Sequence, residues 1–209
     1  MTLLLDGPSG SATTVLLAHG AGAAMDSPFM TAVAGALAAE GLRVARFEFA
    51  YMAARREGTR KPPPRADTLI AEYREAIAEL DATGRLIVGG KSMGGRVASL
   101  MADDLFAEST AAGLLCLGYP FHPSGKPEKT RTDHLAVLRM PTLVCQGTRD
   151  PLGNREEVAG YSLSPAIEVL WLEDGDHDLK PRKTVTGLTA ADHIATVARA
   201  VAEWSGRLS

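Results

Sequence analysis

Ser92 stands at the centre of the pentapeptide Gly90-Lys91-Ser92-Met93-Gly94. The apolar stretch 85–89 before it predicts a buried strand, and residues 95–101 after it predict a helix. A serine with glycines two positions before and two positions after it, at a turn from strand into helix, is the G-x-S-x-G pattern of an exposed nucleophile. Side chains at the glycine positions would clash with the flanking elements, and the Met93 amide would point at an oxyanion formed beside Ser92.

Two other interpretations of this turn have to be weighed. A P-loop also carries glycines before a Lys-Ser pair, but it needs a glycine five positions before Gly90. That position is Arg85, and the residues between are typical of a strand. A purely structural turn is the second alternative, and its weight depends on whether partners for the serine occur elsewhere in the chain.

A serine hydroxyl needs a base to become a nucleophile, and the base needs a carboxylate to orient it. Asp150 directly follows a strand predicted at 142–146, and His177 directly follows one predicted at 167–172. Both are therefore expected at the same edge of the sheet as Ser92. The chain order Ser, Asp, His is also that of serine hydrolases built on a parallel sheet. These residues predict Ser92 as nucleophile, His177 as base and Asp150 as orienting acid.

Each of these assignments has a simpler alternative. Asp150 precedes Pro151 and is also typical of a turn or helix cap, and His177 lies among acids as surface histidines do. Three aspartates near His177 are further candidates for the orienting carboxylate, although they lie too near it in sequence for the usual geometry: Asp174, Asp176 and Asp178. The remaining histidines fit the role of base less well: His19, His122, His134 and His193.

An earlier loop is expected to supply the second oxyanion donor. The strand predicted at 15–18 ends in His19-Gly20-Ala21-Gly22, and the Ala21 amide is the predicted partner of the Met93 amide. This loop is not a dinucleotide fingerprint, because Met25 stands where the third glycine belongs. His19 is expected to brace the loop rather than to transfer protons. Four residues of the predicted loops are expected to contact substrate: His19, Gly22, Tyr119 and His122.

Strands and helices alternate along the chain. Solidly apolar strands are predicted at 15–18, 42–49, 85–89, 113–118, 142–146 and 167–172, with helices near 28–41, 67–80, 95–101 and 191–204. A loop is predicted at 50–65, and residues 120–140 leave room for one short helix, so no lid is expected. The pattern predicts an α/β fold: a three-layer sandwich with a mostly parallel central sheet, formed by residues 1–209 as a single domain.

Composition narrows the possible functions. The 209 residues are 45% hydrophobic and 22% charged, with a net charge of −3, which gives no bulk attraction to nucleic acid or membranes. No apolar run approaches the roughly 20 residues of a membrane span, and no signal peptide is predicted. Cys116 and Cys145 lie in predicted strands and are expected to be buried thiols, which indicates a cytoplasmic protein. No metal or organic cofactor is implied.

Half of the basic residues lie in three loops on the predicted site edge. We call them the basic rim: Arg55, Arg56, Arg60, Lys61, Arg65, Lys126, Lys129, Arg131, Lys180, Arg182 and Lys183. Only Glu57 and Glu128 oppose them within those loops. Basic residues commonly serve only to solvate loops. A cationic rim on an acidic body would also guide anionic ligands to an open site.

The whole chain resembles an α/β-hydrolase in its serine motif, its acid, its histidine and its oxyanion loop. More narrowly, 118–123, 125–129 and 147–151 resemble a small lidless group related to dienelactone-type hydrolases. That group includes a subunit of a histone-acetyltransferase complex and a testis-expressed protein. The resemblance implies a serine hydrolase of small esters or thioesters, and its alternative is a hydrolase-like scaffold that acts through protein contacts. Lys91 differs from the residue usual beside the nucleophile of esterases and leaves the substrate open.

Overall fold

The computed structural model describes residues 1–59 and 61–208. Within them, seven strands form one sheet in the order β1-β3-β2-β4-β5-β6-β7. The strands are β1 (Leu3–Asp6), β2 (Thr13–Ala18), β3 (Arg43–Phe47), β4 (Arg85–Lys91), β5 (Gly113–Leu117), β6 (Thr142–Gly147) and β7 (Ile167–Leu172). All neighbouring pairs are parallel except β1 with β3. The predicted mostly parallel α/β sheet is confirmed, and its carboxyl edge gathers the ends of β2, β4, β5, β6 and β7.

Helices cover both faces of this sheet. They are α1 (Pro28–Ala39), α2 (Ala50–Arg56), α3 (Ile70–Leu80), α4 (Met93–Leu100), α5 (Ala102–Ala107), α6 (Arg155–Ala159), α7 (Lys183–Thr186) and α8 (Ala190–Ser205). Short 3₁₀ turns occur at Ala66–Leu69 and Asp133–Ala136. Helices α1 and α8 pack in one hydrophobic core, and α3 and α4 pack in the other.

The alternation of side chains along β2 separates these two cores. Leu16 and Ala18 belong to the core with α3 and α4, whereas Val15 and Leu17 belong to the core with α1 and α8. Successive residues of a strand point to opposite faces, so a strand that is apolar at every position must be covered on both. This is the physical reason for the three-layer sandwich.

Five elements were not expected from the sequence: β1, α2, α5, α6 and α7. Strand β1 is a four-residue edge strand, too short to give a periodic signal. Helix α2 lies within the predicted loop 50–65, and it begins without a side-chain cap, so the sequence gives no signal for its start. The helix predicted from Asp67 begins instead at Ile70 after a 3₁₀ turn, and the Asp67 carboxylate binds Arg65 rather than capping a helix. Arg60 of the basic rim lies outside the described residues.

The carboxyl edge of the sheet is open. Between β5 and β6 the chain forms only the 3₁₀ turn Asp133–Ala136, which fits the expected lidless fold. Cys116 and Cys145 are free, buried thiols, as predicted. No helix in the described part of the chain combines the length and apolarity needed to cross a membrane.

Substitution of Gly94 tests how tightly the turn at Ser92 packs against β2. A Cβ atom at Gly94 would lie 2.4 Å from the carbonyl oxygen of Ala18, whereas a Cβ at Gly35 in α1 meets no atom within 4 Å. We expect Gly94→Ala to lower the free energy of unfolding by about 1–3 kcal/mol, as overpacked sites do. Gly35→Ala should raise it by about 0.5–1 kcal/mol through helix propensity. Urea denaturation measures the free energy of unfolding of both variants. If the two substitutions changed that free energy in the same direction, the clash predicted at Gly94 would be contradicted.

Candidate active site

Ser92 occupies a strained turn between β4 and α4. Its backbone has φ +49° and ψ −112°, and its N–H donates to the Leu117 carbonyl at 3.0 Å. A Cβ at Gly90 would lie 2.3 Å from the Ala18 carbonyl oxygen, the same atom that Gly94 approaches. Both glycines are therefore required by contact with β2, and the turn they permit presents the serine at the sheet edge.

The structure brings Ser92, His177 and Asp150 into one hydrogen-bonded array. The distance from Ser92 Oγ to His177 Nε2 is 2.8 Å, and the distance from His177 Nδ1 to Asp150 Oδ2 is also 2.8 Å. Because Nδ1 faces a carboxylate, we assign its proton there, which leaves Nε2 to accept from the serine hydroxyl. Such an array can take the proton from a serine as it attacks a carbonyl and then return it to a leaving group.

Asp150 is fixed from several sides. Its side chain is fully buried, and Oδ1 accepts from the Leu152 amide at 2.8 Å. Gln146, also fully buried, donates from Nε2 to Asp150 Oδ2 at 2.9 Å, while its Oε1 accepts from the Tyr119 amide. These bonds hold the carboxylate in the orientation that His177 requires.

The three nearby aspartates have other partners. Hydrogen bonds from Arg182 lower the pKa of Asp174 to about 2. Asp176 Oδ1 accepts from the Asp178 and Lys180 amides at 2.9 and 3.0 Å, and Asp178 lies 3.2 Å from Lys91 Nζ. The described geometry therefore joins His177 to Asp150 and to none of these alternatives.

The loop after β2 is held by two side chains. His19 is fully buried; its Nδ1 donates to the Gly20 carbonyl at 2.6 Å and its Nε2 accepts from the Phe49 amide at 3.2 Å. Burial lowers the pKa of His19, in keeping with a neutral ring that both donates and accepts. The Tyr51 hydroxyl donates to the Ala21 carbonyl at 3.1 Å. His19 thus braces this loop.

The two amides predicted as oxyanion donors are both available. Met93 is the first residue of α4, so its N–H has no partner within the helix. The Ala21 N–H has no acceptor within the described residues. Positive partial charge at the helix N-terminus adds to the Met93 donor.

A cavity of about 460 Å³ opens beside the serine. Its walls come from the 20–23 loop, from 27–30 at the start of α1, and from Lys91, Ser92, His177 and Asp178. Pro28, Phe29 and Met30 make one wall apolar. Gly22, which the sequence predicts as a substrate contact, lines this cavity.

Three predicted substrate contacts need correction, because their side chains do not reach the cavity. His19 is buried behind the loop that it braces. The Tyr119 hydroxyl is buried beside Ser99 at 3.2 Å. His122 is buried too, with Nδ1 2.9 Å from the Pro123 carbonyl oxygen and Nε2 3.5 Å from Glu157. All three rings use their polar atoms within the protein. No described group of three or more His, Cys, Asp or Glu residues is arranged to hold a metal ion.

Sequence reasoning missed several residues that shape the site. Gln146 carried a signal: it is a polar residue directly after the apolar run Leu143-Val144-Cys145 in a predicted buried strand, and a buried amide requires partners. Phe29 and Tyr51 carried none, since aromatic residues near helix starts are common in any fold. Their contribution depends on contacts between segments that are distant in sequence.

The choice of carboxylate gives a direct prediction. Asp150→Asn should reduce kcat about 10⁴-fold on p-nitrophenyl acetate, because the amide would stabilise the wrong tautomer of His177. Asp176→Asn should leave kcat within the same order of magnitude, because that carboxylate bonds only to loop amides and lies 3.6 Å from Arg149. If the Asp176 variant lost activity and the Asp150 variant kept it, the carboxylate would be assigned to the wrong loop.

Solved structures share this fold. A dienelactone hydrolase from Anabaena variabilis superposes with a TM-score of 0.70 at 21% identity, covering 99% of this chain and 91% of that one. The esterase Pf2001 from Pyrococcus furiosus gives 0.71 at 18% identity, covering 96% and 84%. An α/β serine hydrolase homologue from Coxiella burnetii gives 0.70 at 16% identity, covering 96% and 89%. At these identities the likeness concerns the fold.

Membership in a family follows from the sequence match. The family model described as "Alpha/beta hydrolase domain" matches residues 11–206, nearly the whole chain. The matched region contains every strand of the sheet except β1, together with the serine turn and the loops after β6 and β7. The chain therefore belongs to the α/β-hydrolase family.

Proposed function

We propose that this protein is a serine hydrolase that cleaves a carboxylic ester or thioester through an acyl-enzyme on Ser92. The observation that carries the proposal is the continuous array from Ser92 Oγ through the His177 ring to Asp150, with both links at 2.8 Å. An array of three matched groups at the open edge of the sheet has no evident use in a scaffold that acts only by contact.

The proposed reaction proceeds in two halves. Ser92 Oγ attacks the carbonyl carbon while His177 Nε2 takes the hydroxyl proton, and Asp150 stabilises the resulting imidazolium. The amides of Ala21 and Met93 receive the oxyanion. His177 then protonates the departing alcohol or thiol, and a water molecule activated by the same ring releases the acid from Ser92.

The cavity favours an apolar group next to the reacting carbonyl. Phe29, Met30 and Ala23 contribute to its wall, whereas Lys91, the one cation among the described lining residues, is paired with Asp178. Apolar pocket walls gain most from apolar substrate surface, at about 25 cal/mol per Å² buried. The proposed substrate is thus a small molecule with an apolar acyl group. We also propose a cytoplasmic location, which the two free thiols support.

Removal of the nucleophile tests the proposal. Ser92→Ala should abolish turnover of p-nitrophenyl acetate and labelling by a fluorophosphonate probe, leaving at most about 10³-fold catalysis over water. The thermal midpoint should not fall, since the hydroxyl's one described hydrogen bond is to His177. A variant that kept more than a tenth of wild-type kcat would contradict the assignment. A folded wild-type protein that resisted the probe would favour the scaffold role.

A preference for anionic esters is the second part of the proposal, and the basic rim supports it. Arg56, Arg65 and Arg182 form ion pairs with carboxylates. The other described rim cations have no ion-pair partner within residues 1–59 and 61–208. None of the rim cations within residues 1–59 and 61–208 lines the serine cavity. Their influence would therefore be long-range steering of a substrate rather than direct contact.

Steering makes a prediction about salt. An ester that carries a carboxylate should have a higher kcat/KM than its neutral isostere at low ionic strength. The advantage should fade as salt rises, because the screening length falls to about 10 Å at 0.1 M. Measuring both esters at 10 and 500 mM salt tests this. Equal values at low salt, or a preference for the neutral ester, would leave the rim with a solvating role only.

A further inference from the structure

Lys91, the residue before the nucleophile, is the strongest feature that the proposed mechanism does not use. It ends β4 and is only 6% exposed, although it borders the serine cavity. Burying an ammonium group is costly unless partners replace its water. The partners of Lys91 therefore indicate what the residue does.

The ammonium group bonds to the segment that carries the histidine. Lys91 Nζ donates to the main-chain oxygen of His177 at 2.6 Å and lies 3.2 Å from Asp178 Oδ1. The ring of Phe29 lies below it, with its centroid 5.4 Å from Nζ. An ammonium has three N–H donors, and these three neighbours engage it on the protein side. We conclude that Lys91 serves the protein's own loop rather than a substrate anion.

The end of β5 leaves room for this contact. Gly118 has φ +64°, and a Cβ atom there would lie 2.6 Å from the His177 carbonyl oxygen and 3.2 Å from Lys91 Nζ. Any larger residue would separate the two groups. The left-handed conformation of Gly118, directly after β5, thus leaves space for Lys91, at the end of the neighbouring strand β4, to reach the loop that carries His177.

This bond links the base to the nucleophile through the backbone. Lys91 and Ser92 are adjacent, and one binds the carbonyl of His177 while the other binds its ring. We propose that Lys91 is a positioning residue that fixes the His177 main chain, and with it the distance from Nε2 to Ser92 Oγ. The proposal rests on the serine hydrolase function proposed above.

The experiment compares side chains of equal length at position 91. In Lys91→Cys, alkylation of the new thiol with 2-bromoethylamine rebuilds an ammonium side chain with one sulfur in place of a methylene. Alkylation with 2-bromoethanol adds the same number of heavy atoms without the charge. Cys116 and Cys145 should not react in the folded protein, because, unlike position 91, they line no part of the serine cavity and burial raises their thiol pKa. Mass spectrometry checks for a single adduct, and wild type treated with each reagent is the control.

We expect Lys91→Met to lower kcat on p-nitrophenyl acetate by about 100-fold, the cost of a misplacement near 1 Å, with KM little changed. The aminoethyl adduct should recover most of the lost kcat, and the hydroxyethyl adduct should not. Recovery by both adducts alike, or wild-type kcat in Lys91→Met, would overturn the proposal. If Lys91→Met does not fold, the two adducts of Lys91→Cys still make the comparison on one protein.

The pH profile adds a readout that packing alone would not change. Burial lowers the pKa of Lys91, opposed by Asp178, Asp150 and Asp176. His177 also faces the Lys91 amine. Because these four neighbours are the same in wild type and in the aminoethyl adduct, they do not account for a difference between the two pH profiles. The sulfur of the aminoethyl adduct withdraws electrons and lowers the amine pKa further. Since the charged amine holds the loop, kcat should begin to fall at a lower pH in the adduct than in wild type. Superimposable alkaline limbs would count against a role for the charge.

A structural readout separates this proposal from the function on which it rests. The Nδ1 proton that His177 shares with Asp150 should give a far-downfield signal in proton NMR whether or not the protein turns over esters. We expect that signal to broaden or vanish in Lys91→Met and in the hydroxyethyl adduct, and to persist in the aminoethyl adduct. An unchanged signal in all of them would overturn the positioning role. Absence of fluorophosphonate labelling in wild type would instead overturn the hydrolase function.

Discussion

The close approach of the serine turn to the Ala18 carbonyl is the constraint on which the site depends. That one oxygen lies so near Gly90 and Gly94 that neither position can carry a side chain. Because both positions are glycines without side chains, β4 can turn into α4 within a single residue. Ser92 takes the strained conformation that exposes its hydroxyl at the carboxyl edge of the sheet. The same turn leaves the Met93 amide at the start of a helix. The positions of the proposed nucleophile and of the proposed oxyanion donor thus both follow from one packing contact.

The histidine has to be brought to this fixed point from the far side of the sheet. Strands β5 and β6 lie between β4 and β7, so the loop that carries His177 must reach back across two strand ends. Three contacts return it: Asp150 holds the ring, Lys91 binds the main-chain carbonyl, and Gly147 lets the loop pack against β6. A Cβ at Gly147 would lie 2.2 Å from the Gly175 carbonyl oxygen. The proposed base is therefore located by backbone contacts as well as by its partner carboxylate.

Much of this arrangement could be predicted from the sequence, for identifiable reasons. Apolar strands and glycine punctuation are local signals, so six strands, α1 and α8 were found close to their observed bounds. Ser92, Asp150 and His177 were brought together by one rule, that the carboxyl ends of parallel strands share an edge. Contacts that depend on which way a loop side chain points had no such signal. Tyr119 and His122 follow β5 at that edge, yet both rings turn inward to buried partners.

The two destabilising features of the site lie in the best-supported part of the sheet. Strained backbone at Ser92 and a buried ammonium at Lys91 would each weaken an edge strand. They lie instead at the end of β4, which is paired on both sides and buried from Leu86 to Lys91. The surfaces that would meet substrate, by contrast, are the 20–23 loop and the first turn of α1, which carry no left-handed residue and include several exposed positions. The proposed nucleophile is thus held on a rigid strand. The 20–23 loop and the first turn of α1, which would contact the substrate, can change without disturbing the strained turn at Ser92. A fold built this way can keep one arrangement of catalytic groups and vary the wall beside it, which is why the residues beside Phe29 are a better guide to the proposed ester substrate than the serine array itself.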